Sequence, residues 1–136
     1  MYLVDTNVIS EARKGSKANP GVRKFFQASR ASDLYLAAQT IGEIRRGLEN
    51  IRRRGDLPQT GKLEKWLDLI VTDYADRILS FDEPCAQVWG RLMSPRHEHP
   101  VDKQIAAIAL INDLTVVTRN VDDFRNTGVR VNNPFD

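Results

Sequence analysis

Short apolar runs alternate with segments of helical periodicity along nearly the whole chain, and this alternation restricts the fold most strongly. Strands that alternate with helices favour a parallel sheet covered on both faces. We therefore predict an α/β fold with four to five parallel strands in three α/β/α layers. Its binding site is expected at the carboxyl ends of the strands, near a switch in strand order. The predicted strands are Tyr2 to Val4, Leu34 to Ala38, Ile78 to Phe81, Thr115 to Thr118 and, at an edge, Val129 to Val131.

Local signals refine this outline. Thr6 and Asn7 follow the first strand and favour turns, so a loop is predicted there. Two helical patterns, at residues 41–51 and 63–74, are separated by glycine and proline, which indicates a helical hairpin with outer faces available as an interface. Cys85 lies on the apolar face of a later helix, so it is predicted to be a core residue and not a nucleophile.

The size of the chain indicates one domain, and we expect all 136 residues, 1–136, to belong to it. No stretch approaches the roughly 18 consecutive apolar residues of a membrane span, and no basic leader precedes Asp5. The single cysteine cannot form an internal disulfide. We therefore expect a soluble, cytoplasmic protein.

The charge of the chain argues against a protein that coats nucleic acid, because the net charge is only +2. Basic residues are nevertheless clustered. Either cluster is equally well explained as a solvated surface or as a phosphate-binding surface. The first contains Arg45, Arg46, Arg52, Arg53 and Arg54, and the second contains Arg91, Arg96, His97 and His99.

Four residues with side-chain oxygens lie next to predicted strand ends or helix starts. Asp5 ends the first strand, Glu43 and Asp102 stand in first helical turns, and Asn120 follows the Thr115 to Thr118 strand. Carboxylates brought together raise one another's pKa values unless a cation neutralises them. Oxygen ligands without cysteine select Mg²⁺ or Mn²⁺, the ions commonly used on phosphates. The pattern predicts metal-assisted phosphodiester hydrolysis.

Each acid also has an explanation that involves no metal. Asp5 fits a turn or a helix cap. Thr40 and Glu43 match a capping box, in which Glu43 would accept from the Thr40 amide. Asp102 stands where a helix dipole stabilises any acid. Only the joint placement of the acids favours a metal site.

The residues also resemble a known family. Four segments are similar, in order and spacing, to the successive motifs of PIN-domain toxins of the VapC and FitB group, and the similarity covers nearly the whole chain. It implies a PIN-like fold. The segments are Tyr2-Leu3-Val4-Asp5-Thr6-Asn7-Val8-Ile9-Ser10, Thr40-Ile41-Gly42-Glu43-Ile44-Arg45-Arg46-Gly47, Asp102-Lys103-Gln104-Ile105-Ala106-Ala107 and Thr118-Arg119-Asn120-Val121-Asp122-Asp123-Phe124.

The resemblance implies a Mg²⁺-dependent ribonuclease, with Mn²⁺ as an alternative ion, that serves as the toxin of a type II toxin–antitoxin pair. Asp5, Glu43 and Asp102 then correspond to the metal-binding catalytic acids. Asn120 stands at a catalytic position where the family often has a fourth acid, which leaves one or two metals open. Asn120 is itself a competent carbonyl ligand or a hydrogen-bond partner for a metal-bound water. Asp122 or Asp123 would be a replacement for the missing acid, although both fit a helix cap or a solvated surface better. Supporting roles fall to Thr6, Asn7, Thr118 and Asp123.

The resemblance also implies partners: an RNA substrate, a cognate antitoxin, and a second copy in a homodimer or, with antitoxin, a dimer of dimers. Arg46, Arg96 and Arg119 are the expected RNA or antitoxin contacts. Glu43, Arg46 and Asn50 share a face of the predicted hairpin, where either partner would bind.

Three alternatives stay open. A zinc site at His97 and His99 lacks a third convincing ligand, and the loop fits phosphate binding or an ordinary surface better. An aspartyl-phosphate phosphatase would use Asp5 as nucleophile, but Asn7 stands where its second acid is expected. A non-catalytic PIN-like module that binds RNA or protein would explain Asn120 as a sign of lost activity.

Overall fold

The computed structural model describes residues 1–95 and 97–136. This part of the chain contains five strands and six α-helices, with a pair of α-helices between successive strands from the first to the fourth. The strands are β1 (Tyr2–Val4), β2 (Leu34–Ala37), β3 (Ile78–Leu79), β4 (Thr115–Val117) and β5 (Val131–Asn132). The helices are α1 (Thr6–Ala12), α2 (Pro20–Ala28), α3 (Ala38–Arg53), α4 (Leu57–Asp73), α5 (Glu83–Met93) and α6 (Pro100–Ile111).

The sheet is parallel throughout and has the order β3-β2-β1-β4-β5. From β1 the chain builds outward through β2 and β3 on one side, and then returns to place β4 and β5 on the other. Strand order therefore switches between β1 and β4. Asp5 and Thr118 follow these two strands directly, so both residues lie at the switch point, where parallel sheets form their binding crevices.

Each face of the sheet carries its own apolar core. Successive strand residues point to opposite faces, so Val4 packs with α1, α3 and α4, whereas Leu3 packs with α5 and α6. Both side chains are fully buried. The strands are continuous apolar runs because both of their faces are covered. The predicted α/β fold with helices on both faces is confirmed, and buried Cys85 belongs to the α5–α6 core as predicted.

Three local predictions were wrong or incomplete. No loop follows β1, because α1 begins at Thr6 and the Asp5 side chain caps it by accepting from the Thr6 amide. The capping box, one of the two explanations considered for Glu43, is not formed, since α3 begins at Ala38 and its N-cap, Ala37, makes no side-chain hydrogen bond. Helix α2 was not predicted, although Asn19 followed by Pro20 is a helix-start signal.

The predicted helical hairpin is present as α3 and α4, and a network of ion pairs joins its two helices. Arg45 makes a bidentate contact with Glu64, with nitrogen–oxygen distances of 3.0 and 2.9 Å. Arg52 donates to the same carboxylate at 2.7 Å, and Glu49 bridges both arginines. Hydrogen bonds, first of all from Arg45, lower the pKa of Glu64. No helix in the ranges 1–95 and 97–136 is long and apolar enough to cross a membrane.

Replacement of Glu64 by Gln is expected to lower the melting temperature slightly at neutral pH, because two arginines lose a charged partner in a partly solvated network. The folded-state pKa of Glu64 lies below its ordinary value, so its contribution is present above that value and disappears as the pH falls through the folded pKa. Thermal unfolding at neutral and acidic pH measures this, with Asp68→Asn on the same helix as control. A Glu64→Gln effect that persists in acid would contradict the electrostatic explanation.

Candidate metal centre

Asp5 is the buried centre of the site at the carboxyl end of β1, with only 4% of its surface exposed. Its Oδ1 accepts from the Thr6 amide at 2.9 Å. Its Oδ2 accepts from Thr118 Oγ1 at 2.8 Å and from Asn7 Nδ2 at 3.2 Å. Burial raises the pKa of Asp5, and these three donors oppose the rise by stabilising the carboxylate. The side chain is therefore held in one orientation.

Thr118 connects the ends of β4 and β1. Its fully buried hydroxyl donates to Asp5 and accepts from Asn7 Nδ2 at 3.3 Å and from the Asn120 amide at 3.0 Å. Asn7 Oδ1 in turn accepts from the Arg119 amide at 3.0 Å. The three polar side chains thus fix the spacing of the two strand ends on either side of the switch point.

Replacement of Thr118 by Val is expected to destabilise the protein by about 1–3 kcal/mol, because the change keeps the side-chain volume but leaves buried polar partners unsatisfied. Chemical denaturation measures the effect, and Thr118→Ser, which keeps the hydroxyl, is the matched control. Equal stabilities of the Val and Ser variants would show that the hydrogen bonds contribute nothing.

Glu43 approaches the site from the first turns of α3, and its side chain is exposed. Thr6 Oγ1 donates to Glu43 Oε1 at 2.7 Å and lies 3.3 Å from Thr40 Oγ1. Thr6 follows Asp5 directly, so this contact joins the start of α1 to α3. The structure therefore brings Thr6 and Glu43 together beside Asp5, and the carboxylate of Glu43 bonds to a side-chain hydroxyl in place of the Thr40 amide.

Asp102 completes the cluster from the first turn of α6, where it is half-buried. Desolvation, followed by the negative charges of Asp5, Asp123 and Glu43, raises the pKa of Asp102 to about 6. Asp123 lies in the short 3₁₀ segment Val121–Phe124 after β4. The four carboxylates thus share one electrostatic environment although they come from separate parts of the chain.

His99 lies between two of these acids. Its Nδ1 is 3.8 Å from Asp102 Oδ2, and its Nε2 is 3.6 Å from Asp123 Oδ1. One donor atom from each of the three residues can be chosen so that all lie within 4.8 Å of one another. Sequence reasoning considered the loop of His97 and His99 but did not connect His99 with Asp102 and Asp123.

Asn120 differs from the sequence expectation. Its backbone N–H donates to Thr118 Oγ1, but its side chain is exposed. Among the described residues no hydrogen bond joins that side chain to an acid. Asn120 instead precedes the 3₁₀ segment that carries Asp123 toward Asp102. Asp123, which sequence reasoning gave a supporting role and also considered as a replacement for Asn120, has its Oδ1 3.6 Å from His99 Nε2. The catalytic role of Asn120 stays a prediction.

Comparison with known proteins identifies the family to which this arrangement belongs. The family model described as "PIN domain" matches residues 2–129. The chain belongs to the PIN-domain family. A structure described as FitAcB from Neisseria gonorrhoeae superposes with a TM-score of 0.87 at 34% identity, and the match covers 98% of each chain.

Curated relatives of this PIN-domain protein match along their full lengths. Toxin FitB of Neisseria gonorrhoeae is 36% identical, with 99% of each chain covered. Plasmid stability protein StbB of Pseudomonas syringae pv. tomato is 35% identical, with 100% of this chain and 99% of StbB covered. VapC ribonuclease Y4jK of Sinorhizobium fredii is 29% identical, again with 100% of this chain and 99% of the relative covered. The resemblance to the VapC and FitB group is therefore confirmed.

Two of the three basic residues named from the sequence as expected partner contacts lie in the described part of the chain. Arg46 is exposed on α3, one turn beyond Glu43. The Arg119 guanidinium stacks 4.9 Å from the centre of the Phe135 ring. Arg96 lies outside the described residues, so its expected contact remains a prediction.

A groove of about 340 Å³ runs from the site between α1, α3 and α4. Glu43 and Asn50 line it, as expected of the face predicted on the hairpin, but Arg46 does not. Sequence reasoning placed Arg54 in a basic cluster but missed Arg13, because only the packing of α1 on α3 brings the two cations to the same surface. The groove opens beside Thr6 and Glu43, so an occupant would reach the acids.

The donor set of this PIN-domain site fits a hard divalent cation. The carboxylates of Asp5 and Glu43 act on Asp102 through their negative charge, and Cys85, buried in the α5–α6 core, is not among them. Burial first, and then the negative charges of Asp5, Asp123 and Glu43, raise the pKa of Asp102, and a bound cation would oppose both effects. Oxygen ligation of this kind is typical of Mg²⁺ and Mn²⁺ sites that act on phosphates.

Proposed function

We propose that this PIN-domain protein is a metal-dependent endoribonuclease that acts as the toxin of a toxin–antitoxin pair. The observation that best supports the proposal is the group of acids at the switch point of the sheet, where Asp5, Asp123 and Glu43 add negative charge around the half-buried Asp102. Repulsion between carboxylates is unfavourable without a cation, and a bound cation replaces it with attraction. The names of the relatives, a toxin and a VapC ribonuclease, point to the same activity.

In the proposed mechanism Asp5, Glu43 and Asp102 hold the cation, with Asp123 in place of Asn120 as the fourth acid. The ion, Mg²⁺ or Mn²⁺, would activate a water and polarise the phosphate of the scissile bond. The residues of the chain do the positioning. Thr118 and Asn7 hold the Asp5 carboxylate, and Thr6 holds Glu43 through a 2.7 Å hydrogen bond.

We propose a cognate antitoxin as protein partner, and the groove beside Thr6 and Glu43 as its place of contact. Arg13 and Arg54 line this groove together with the aromatic ring of Trp66, so it offers both cationic and apolar contacts. A segment seated there would lie against Glu43 and obstruct the approach of RNA. We further propose that residues 1–136 act as one cytoplasmic domain that forms homodimers.

The test is incubation of purified, antitoxin-free protein with total cellular RNA in the presence of Mg²⁺, Mn²⁺ or EDTA. We expect discrete cleavage products with either metal and none with EDTA. Cleavage that continues in EDTA would contradict the metal mechanism. Intact RNA under every condition, with the protein folded, would favour a PIN-like module that binds RNA or protein without cutting.

A further inference from the structure

We propose that His99 is a nitrogen ligand of the cation held at Asp102 and Asp123, so that this side of the site prefers first-row transition cations such as Mn²⁺ to Mg²⁺. The inference rests on the proposed function, since it names a further ligand of the same metal. It concerns a residue outside the four motifs that show the family resemblance.

The position of the His99 imidazole is the main evidence that it is a metal ligand. Its two nitrogens face the carboxylates of Asp102 and Asp123 at 3.8 and 3.6 Å, and one donor atom of each residue fits within a span of 4.8 Å. Donors of a six-coordinate ion with bonds of about 2.1 Å lie roughly 3 to 4 Å apart. A small rotation of the side chains would therefore bring one nitrogen and two oxygens onto a single ion.

The backbone around His99 is anchored next to the acids. The buried Lys103 donates its ammonium to the Glu98 carbonyl at 2.5 Å, and its amide donates to the His99 carbonyl at 3.0 Å. Trp89 Nε1 on α5 donates to the Pro100 carbonyl at 3.0 Å. Carbonyls on both sides of His99 are thus bound to helices α5 and α6. The imidazole is presented at the acids by fixed backbone, although half of its side chain is exposed.

The chemistry of the donor set gives the expected preference. Mg²⁺ is a hard ion that takes oxygen ligands and retains several waters. An imidazole nitrogen is a softer donor than a carboxylate oxygen. It therefore favours first-row transition cations over Mg²⁺. A set of two carboxylates and one imidazole therefore separates Mn²⁺ from Mg²⁺ more strongly than carboxylates alone. His97, two residues earlier in the same loop, is exposed and is not part of this three-residue group.

The experiment compares the wild type with His99→Asn and with the matched control His97→Asn. Asparagine suits position 99, because the backbone there is left-handed, with φ of 52°, and asparagine tolerates that conformation. The dissociation constants of Mn²⁺ and Mg²⁺ are measured by calorimetry, and circular dichroism confirms folding. Pulsed electron paramagnetic resonance of the Mn²⁺-loaded protein then detects any ¹⁴N nucleus bonded to the ion.

We expect a ¹⁴N coupling in the wild type and in His97→Asn that disappears in His99→Asn. We also expect His99→Asn to weaken Mn²⁺ binding by roughly ten- to hundredfold and Mg²⁺ binding much less, since loss of a partner at a metal site commonly has this effect. Mn²⁺ bound without ¹⁴N coupling, and with the same Mn²⁺ to Mg²⁺ ratio in all three proteins, would overturn the inference and leave the proposed nuclease intact. A wild type that binds neither ion would overturn both.

Discussion

Replacement of Asp5 by Asn is expected to reduce metal-dependent RNA cleavage by about a thousandfold or more while the protein stays folded. The change keeps the shape of the side chain but removes the charge of the buried carboxylate at the centre of the site. A catalytic metal contributes several kcal/mol to transition-state stabilisation, and each 1.4 kcal/mol corresponds to about a factor of ten in rate. The measurement is the single-turnover cleavage rate of RNA in Mg²⁺ or Mn²⁺.

The matched control is Asp68→Asn, which makes the same chemical change on the exposed surface of α4. It should cleave at the wild-type rate. Circular dichroism and thermal unfolding establish that Asp5→Asn is folded. A folded Asp5→Asn protein that cleaves RNA at the normal rate would show that the site has been assigned to the wrong residues.

The metal-free Asp102→Asn variant is expected to be more stable than the wild type at neutral pH, by an amount on the order of 2–3 kcal/mol. The pKa of Asp102 is raised from its ordinary value of 3.8 to about 6 in the folded protein. The folded state therefore binds a proton more tightly than the unfolded state, and the ionised side chain destabilises the fold. This cost is absent below about pH 4, grows between pH 4 and 6, and is complete above pH 6.

Urea denaturation of the wild type and of Asp102→Asn in EDTA, at pH 7.5 and at pH 4, measures the difference. We expect the gap between the two proteins to be large at pH 7.5 and to close at pH 4. Saturating Mn²⁺ should then stabilise the wild type more than the variant, because bound cation replaces repulsion with attraction. A variant that is less stable than the wild type at pH 7.5 would indicate that Asp102 is a structural helix-start residue.

The sequence was informative where physical requirements are local. The strands are buried on both faces, so they appear as uninterrupted apolar runs, and all five are placed to within two residues. Asp5 and Thr118 could be predicted to converge because the carboxyl ends of parallel strands share one edge. The same reasoning brought Asp102 to the site, since an acid in the first turn of α6 lies at that edge.

Other features depend on contacts between distant segments. The hydrogen-bond donor to Glu43 could not be predicted from the sequence of its own helix. The donor is the hydroxyl of Thr6, which is 37 residues away in the sequence, and not the Thr40 amide. Asn120 was predicted as the fourth site residue because it follows β4 and matches a position where the family often has an acid, and this remains a prediction. The 3₁₀ segment that begins at Val121 instead turns Asp123 toward Asp102, and a short segment of this kind leaves little trace in hydrophobic periodicity.

The most direct test of the account is the location of Mn²⁺ in crystals of the protein grown or soaked with this ion, measured by anomalous scattering at the manganese edge. We expect a strong peak within bonding distance of carboxylate oxygens of Asp5 and Asp102, and its loss in crystals of Asp5→Asn. A saturated crystal with no peak among these carboxylates, or with its only peaks elsewhere on the surface, would contradict the claim that they form a metal centre.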